Sequence, residues 1–269
     1  MRHRITFSCE GILCAATLDP AEAKTGLLIV SGGNEIRVGS HRGMAKLAAE
    51  ISEAGYPVFR YDRRGVGDSE GVNEGYASSG PDMRAALATF RAEQPHLRAV
   101  VALGNCDGAT ALMLHRPEGF AELVLTNPWI VEPIVDEPAP AAARAYYAER
   151  LRNPQAWLNV LRGRVNMRKA AGSISSAVAQ RPTQELTVRV ATALAESDIP
   201  THIILADGDG TAIAFADQWT TDIFQPAHDH VRVTHVDSAS HSFASSADHA
   251  VLRDHILTTL SRVQQSIKP

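Results

Sequence analysis

One cysteine lies in a setting that favours chemistry: Cys106 is flanked by Gly104 and Gly108 in the stretch "GNCDG". The apolar run before it, 97–105, is typical of a buried strand, and "ATALML" (109–114) after it is compatible with a helix. A G-x-C-x-G turn between strand and helix is the pattern of a nucleophile elbow, where the turn is strained and glycines leave room for crowded chains. An isolated cysteine is more often a small buried hydrophobe. The glycines and the preceding strand favour Cys106 as a nucleophile.

Such a nucleophile needs an orienting carboxylate and a histidine base, which follow it in the order nucleophile, acid, histidine. The apolar run 201–206 is followed by "DGDGTA", which offers Asp207 and Asp209. Asp207 closes the strand and is also an ordinary turn residue, whereas Asp209 lies farther out, where a loop carboxylate can reach an imidazole. The pattern favours Asp209 and leaves Asp207 open as the alternative.

The candidate base is His241, one of eleven histidines in the chain. It follows the apolar run 231–237 and precedes the last helical pattern, which is the position that a catalytic histidine requires. His202 and His235 lie inside apolar strand runs and are interpreted as core residues. A Cys106–His241–Asp209 triad is therefore the hypothesis.

An acyl-transfer site also needs backbone N–H groups aimed at the developing oxyanion. One N–H is expected from Asp107, directly after the nucleophile. The second is expected from the loop "SGGNEIRVGS" (31–40), with Gly33 as the first candidate and Asn34 as the next. The glycine pair taken alone is typical of a flexible loop.

Alternating strands and helices must position these residues. Buried strands are predicted at six apolar runs, namely 26–33, 56–62, 97–105, 121–127, 201–207 and 231–237. Amphipathic helices between them predict an α/β fold with a mostly parallel sheet that is covered on both faces. The first twenty residues are expected to form an antiparallel pair of edge strands.

Residues 132–198 interrupt this alternation and are predicted to form a helical cap inserted into a core of residues 1–131 and 199–269. The segment 144–189 carries nine Lys or Arg residues and two acids. A cap over the carboxyl ends of the strands would lie where open α/β sheets bind ligands. This charge is typical of a solvated helical surface whose arginines pair with acids on the sheet domain, and it also suits an anionic, carrier-linked acyl substrate.

Composition narrows the class of protein. The 269 residues are 45% hydrophobic, enough for one sizeable core, and the net charge of −4 with a pI near 6.3 argues against a nucleic-acid binder. No apolar run approaches the roughly 20 residues of a membrane span, and the amino-terminal segment is a poor signal peptide. Three cysteines without a CxxC pair predict free thiols and a cytoplasmic location. No metal or organic cofactor is expected, and the oligomeric state is left undetermined.

The chain resembles the α/β-hydrolases associated with the exosortase A system over roughly residues 2–262. The resemblance rests on "VSGGNEIRVGSHRG", "FRYDRRGVGDSEG", "LGNCDGA", "LTNPWI", "YYAERL", "LRGRVNMR" and "TAIAF". It implies the α/β-hydrolase fold and a cysteine nucleophile at Cys106, with Asp209 and His241 matching the acid and the base. One departure is Asp207, where a small residue is more usual, and it keeps the choice of acid open.

The expected function is hydrolysis of an ester or thioester through an acyl-cysteine intermediate. An acyl thioesterase ranks slightly first, because acyl exchange between two sulfurs is nearly balanced. The alternatives are a carboxylesterase or lactonase, and a non-catalytic binding protein that retains the fold. The family is named from its genomic neighbourhood with exopolysaccharide genes, which points to hydrolase chemistry without naming a substrate.

Overall fold

The computed structural model describes residues 2–131 and 185–267, which form an eight-stranded sheet flanked by helices. The strands are β1 (His3–Cys9), β2 (Ile12–Asp19), β3 (Thr25–Val30), β4 (Val58–Tyr61), β5 (Ala99–Asn105), β6 (Glu122–Thr126), β7 (Thr201–Ala206) and β8 (Val231–Val236). Their order across the sheet is β1-β2-β4-β3-β5-β6-β7-β8. The pairs β1–β2 and β2–β4 are antiparallel, and every other pair is parallel. The predicted α/β fold is confirmed, and the first two strands form the expected antiparallel pair at one edge.

The described helices lie on both faces of the sheet. They are α1 (Gly43–Glu53), α2 (Gly80–Glu93), α3 (Asp107–His115), α4 (Glu185–Ala195), α5 (Gly210–Trp219) and α6 (Ser246–Ser266), with short 3-10 turns at Ser40–Arg42, Tyr76–Ser78 and Asp222–Ala227. None of these helices is long and apolar enough to cross a membrane.

Each face of the sheet has its own apolar core. Helices α1 and α6 cover one face, where Leu47, Leu103 and Leu260 are buried together. The other helices cover the opposite face, where Phe59 stacks on Phe90 at 5.4 Å between ring centroids. Because the central strands are buried on both faces, their sequences are continuous apolar runs rather than alternating ones. Fully burying one such Leu or Phe side chain contributes about 1.5–3 kcal/mol to the free energy of unfolding, so the two apolar cores stabilise the sheet from both faces.

Most of the predicted cap, residues 132–184, lies outside the described residues, and the cap stays a prediction. The described end of that segment forms α4, which packs on the core: Leu186, Val190 and Leu194 are buried with the residues of α3. The Thr187 hydroxyl donates a hydrogen bond to the Ile130 carbonyl at 2.9 Å. Helix α4 is thereby anchored beside the segment that follows β6.

Candidate active site

The predicted nucleophile elbow corresponds to the turn where β5 ends and α3 begins. Cys106 has φ 56° and ψ −125°, a strained conformation for a residue with a side chain. A Cβ atom added at Gly104 would lie 2.8 Å from the Gly108 carbonyl, and one added at Gly108 would lie 2.6 Å from the Val30 carbonyl. Both glycines are therefore required by close approach of backbone, which is the physical reason for the pattern seen in the sequence.

The His241 ring connects the cysteine to a carboxylate. His241 lies in the loop between β8 and α6, and its Nδ1 is 3.0 Å from Asp209 Oδ2. The ring also shares a side-chain hydrogen bond with Cys106. With Nδ1 held by the carboxylate, Nε2 is the nitrogen left to face the thiol. The structure thus brings together the three residues that the sequence singled out.

Asp209 is held by more than the histidine. Its side chain is 10% exposed, and Oδ2 also accepts a hydrogen bond from the Ala212 N–H at 3.0 Å, which makes Asp209 the N-cap of α5. Because the cap fixes the carboxylate independently of His241, the acid is already oriented before it meets the imidazole.

Asp207 is engaged elsewhere. Its carboxylate lies 2.6 Å from Nδ1 of His235, and the two side chains are 52% and 56% exposed. The interpretation of His235 as a core residue is wrong, because β8 is the last strand of the sheet and leaves this side chain open to solvent. His202, on β7, is buried as expected. The exposed Asp207–His235 pair therefore resembles the Asp209–His241 pair in chemistry but lacks both a buried carboxylate and a neighbouring cysteine.

The environment of His241 favours the imidazolium. Its hydrogen bonds to Asp209 and then to Cys106 raise the pKa of His241 to about 10, against the opposing effect of burial. Because folding raises this pKa, its contribution to stability is fully present below about pH 6.5 and is lost as the pH rises toward 10. A histidine with so high a pKa is a strong base toward a neighbouring thiol.

We expect NMR titration of the His241 ring to give a midpoint far above the usual value near 6.5. The midpoint should fall in Asp209→Asn and, by a smaller amount, in Cys106→Ala, because the carboxylate is the larger cause of the shift. A His241 midpoint near 6.5 in the wild-type protein would contradict this electrostatic description.

The two expected oxyanion donors lie next to each other. The N–H of Asp107 is at the start of α3, where helical N–H groups have no acceptor within the helix. The N–H of Gly33 donates to the Asp107 side-chain carboxylate, and Asn34 is instead linked through its side chain to Asn73 at 2.8 Å. The Gly33 N–H is thus already bound to the Asp107 carboxylate, which an acyl oxygen has to displace.

Arg63 supports this loop, and sequence reasoning missed it. Its side chain is only 3% exposed; it donates to the Gly33 carbonyl, donates to Ser79 Oγ at 3.0 Å and lies 3.6 Å from Asp107 Oδ2. The signal for it in the sequence is the segment "YDRRGVGDSEG", which contains Arg63. Arg63 therefore ties the candidate oxyanion loop to the elbow and counters the charge of Asp107.

Two adjacent glycines in this loop allow a matched test. A Cβ added at Gly32 would lie 2.6 Å from the Asn105 carbonyl and 2.7 Å from Asp107 Oδ1, whereas one added at Gly33 has nothing within 4 Å. We expect Gly32→Ala to push the loop from the elbow and lower kcat by about 10²-fold, comparable to loss of one oxyanion donor. Gly33→Ala should cost far less kcat, because only its φ of 53° opposes the substitution. Steady-state kinetics measure kcat of both variants. An equal loss of kcat in the two would contradict this placement of the loop.

Within residues 2–131 and 185–267, no group of three or more His, Cys, Asp or Glu side chains is arranged to hold a metal ion. What these residues hold at the carboxyl ends of the strands is a thiol, an imidazole and a buried carboxylate. Such a constellation supports nucleophilic catalysis.

The strand order, the elbow after β5, the acid after β7 and the histidine after β8 define the α/β-hydrolase fold. Solved structures are similar over nearly the whole chain. An esterase of Pyrococcus furiosus has a TM-score of 0.66 and 13% identity, covering 97% of this chain and 91% of that one. A proline iminopeptidase of Mycobacterium smegmatis has a TM-score of 0.60 and 16% identity, covering 98% and 99%. The α/β-hydrolase GrgF of a Penicillium species has a TM-score of 0.61 and 15% identity, again covering 98% and 99%.

The family described as serine aminopeptidase, S33, matches residues 21–185, more than half of the chain, and the protein belongs to this family. It is therefore a hydrolase of the α/β-hydrolase fold. No protein among the curated sequences compared matches the chain. The family description names a serine, whereas the residue at the elbow of this chain is Cys106.

Proposed function

We propose that this protein hydrolyses esters or thioesters through an acyl intermediate on Cys106. The observation that carries the proposal is the joint geometry of the elbow: a strained cysteine shares a hydrogen bond with His241, which pairs with a buried, capped carboxylate at 3.0 Å. A nucleophile, a base and an orienting acid in this order split acyl transfer into two easier steps.

In the first step, the proton shared by Cys106 and His241 lies on the imidazole, and the sulfur forms a bond to the acyl carbonyl carbon. The carbonyl oxygen takes the negative charge and accepts hydrogen bonds from the N–H groups of Asp107 and Gly33. To reach the Gly33 N–H, it displaces the Asp107 carboxylate. The bond from carbon to the leaving oxygen or sulfur then breaks, and the leaving group takes the proton from the imidazolium. The product of this step is an acyl-Cys106 thioester.

In the second step, His241 removes a proton from water as the water oxygen attacks the acyl carbon. Acylation removes the Cys106 contribution to the raised pKa of His241, so the ring becomes neutral more readily when a base is needed. The carbon–sulfur bond breaks, the carboxylic acid leaves, and the imidazolium again shares its proton with the sulfur. Throughout both steps, Asp209 holds the imidazole in one tautomer.

Among such substrates we favour acyl thioesters on an anionic carrier, which agrees with the positive charge of the segment 144–189. We also propose that the protein belongs to the exosortase A-associated hydrolases, on the motif resemblance, and that it acts in the cytoplasm, where free thiols such as those at Cys9, Cys14 and Cys106 persist.

The test combines a panel of p-nitrophenyl esters and acyl-coenzyme A thioesters with a salt series. Steering by exposed charges weakens as the Debye length falls from ~10 Å at 0.1 M to ~3 Å at 1 M salt. We expect kcat/KM for the coenzyme A thioester to fall strongly with salt, while that for a neutral ester barely changes. Equal salt dependence would remove the preference for a carrier-linked thioester, and no turnover of either class would contradict hydrolysis itself.

Charge reversal provides the matched control. Arg162→Glu with Arg164→Glu should reproduce the high-salt loss at low salt for the thioester alone. Lys24→Glu with Arg98→Glu makes the same change in net charge at exposed positions that directly precede the amino ends of β3 and β5, and it should leave both substrates unaffected.

A further inference from the structure

Asn127 is a buried polar residue that the mechanism above does not use. It follows β6 directly, its side chain is fully buried, and its φ is 44°, in the left-handed region that Asn tolerates better than most residues. A buried amide has to be satisfied by hydrogen bonds, so its partners show what it holds in place.

Those partners belong to the two loops that carry the acid and the base. The side-chain oxygen of Asn127 accepts the Ala206 N–H at 2.9 Å, at the end of β7 and three residues before Asp209. The side-chain nitrogen donates to the backbone carbonyl of His241 at 2.9 Å. One side chain therefore spans β7, the strand that separates β6 from β8, and links both loops.

A second amide is aimed at the same carbonyl. In the orientation that satisfies its surroundings, the Asn105 side chain donates to the His241 carbonyl at 3.2 Å and to the Thr126 carbonyl at 3.2 Å. Asn105 immediately precedes Cys106. A carbonyl oxygen has two lone pairs, so it can accept both amides at once. The backbone of His241 is then tied to the strand that bears the nucleophile and to the strand beside it.

We propose that Asn127, assisted by Asn105, is a positioning residue that fixes the backbone of His241 relative to Asp209 and Cys106. This inference rests on the proposed function of the triad. It explains how His241, in the loop after the outermost strand, keeps its ring aligned with Asp209 after β7 and with Cys106 after β5. Misplacement of a reacting group by about 1 Å can cost about 10²-fold in rate, so loss of this link should be measurable.

The test uses Asn127→Gly, which keeps the positive φ without strain and removes the amide. We expect kcat for a p-nitrophenyl ester to fall by about 10²-fold with little change in KM, because alignment of the base rather than substrate binding is lost. The NMR titration midpoint of His241 should move down toward its ordinary value, since the ring leaves Asp209 and Cys106. Thr187→Val is the matched control, because it removes another buried hydrogen bond to a backbone carbonyl near β6 without touching the triad.

A wild-type His241 titration in Asn127→Gly, together with a loss of melting temperature like that of Thr187→Val, would overturn the proposal and leave Asn127 a structural residue. If Asn127→Gly does not fold, Asn105→Ala replaces it. That variant removes the second amide and must shift the His241 titration in the same direction by a smaller amount; an unshifted titration overturns the proposal. Because titration and melting need no substrate, failure of the hydrolase proposal would appear separately, as absence of turnover by the wild-type protein.

Discussion

Replacing Cys106 with alanine should lower kcat by about 10⁶-fold, close to the loss measured when a triad nucleophile is removed from a serine protease. The expected effect is this large because in the proposed mechanism the thiol bonds to the acyl carbon, and the nearby Thr110 hydroxyl is buried and donates to the Trp129 carbonyl. Any residual rate would come from binding and from the oxyanion donors. Steady-state kinetics with an activated ester measure the change.

The other two cysteines are the controls. Cys9 and Cys14 are buried in the β1–β2 pair, and burial raises the pKa of Cys9 to about 11 and also raises the pKa of Cys14. Their thiolate forms are therefore scarce near neutral pH. Cys14→Ala should retain activity, and brief iodoacetamide treatment should label Cys106 ahead of both. Faster labelling of Cys9 or Cys14 would contradict the assignment of the reactive thiol.

The second large effect is expected at the acid. Asp209→Asn should lower turnover by up to about 10⁴-fold, because an amide in place of the carboxylate removes the negative charge that stabilises the imidazolium of His241. The helix should survive this change: an asparagine oxygen can still cap α5 by accepting the Ala212 N–H. The Ala212 N–H and His241 Nδ1 both contact Oδ2, so an asparagine oxygen placed there keeps the cap and the contact with the ring but carries no negative charge. A lowered rate with an unchanged melting temperature is thus the expected signature.

Asp207→Asn is the matched control for the acid, and His235→Ala is the control for the base. This pair has the same chemistry at 2.6 Å but is exposed, with Asp207 directly after β7 and His235 on the outermost strand. Both control variants should retain nearly full activity. If Asp207→Asn were the inactive variant, the roles assigned to the two aspartates would be reversed.

The strands and the elbow could be predicted from the sequence because their causes are local. β5 is buried on both faces and therefore reads as an unbroken apolar run, and Gly104 and Gly108 are required by contacts made within a few residues of Cys106 or with the adjacent strand. The local pattern favours Asp209 but leaves Asp207 open, since both lie in one turn after β7. The distinction depends on the rest of the fold: Asp209 caps α5, whereas Asp207 pairs with His235, whose side chain β8 exposes to solvent.

Arg63 and Asn127 could not be found from the sequence for a related reason. Arg63 acts on Asp107, 44 positions away, and Asn127 acts on His241, 114 positions away. Neither contact leaves a periodic pattern or a turn signature. Buried polar side chains of this kind are recognised only when the fold shows which groups they satisfy.

The central claim, covalent catalysis through Cys106, is tested most directly by intact-mass spectrometry during turnover of an activated ester. We expect an acyl adduct on the wild-type protein after acid quench, and more of it on His241→Ala if loss of the base slows deacylation more than acylation. Peptide mapping should place the adduct on Cys106, and it should be missing from Cys106→Ala. An adduct on another residue, or turnover by Cys106→Ala at the wild-type rate, would contradict the account.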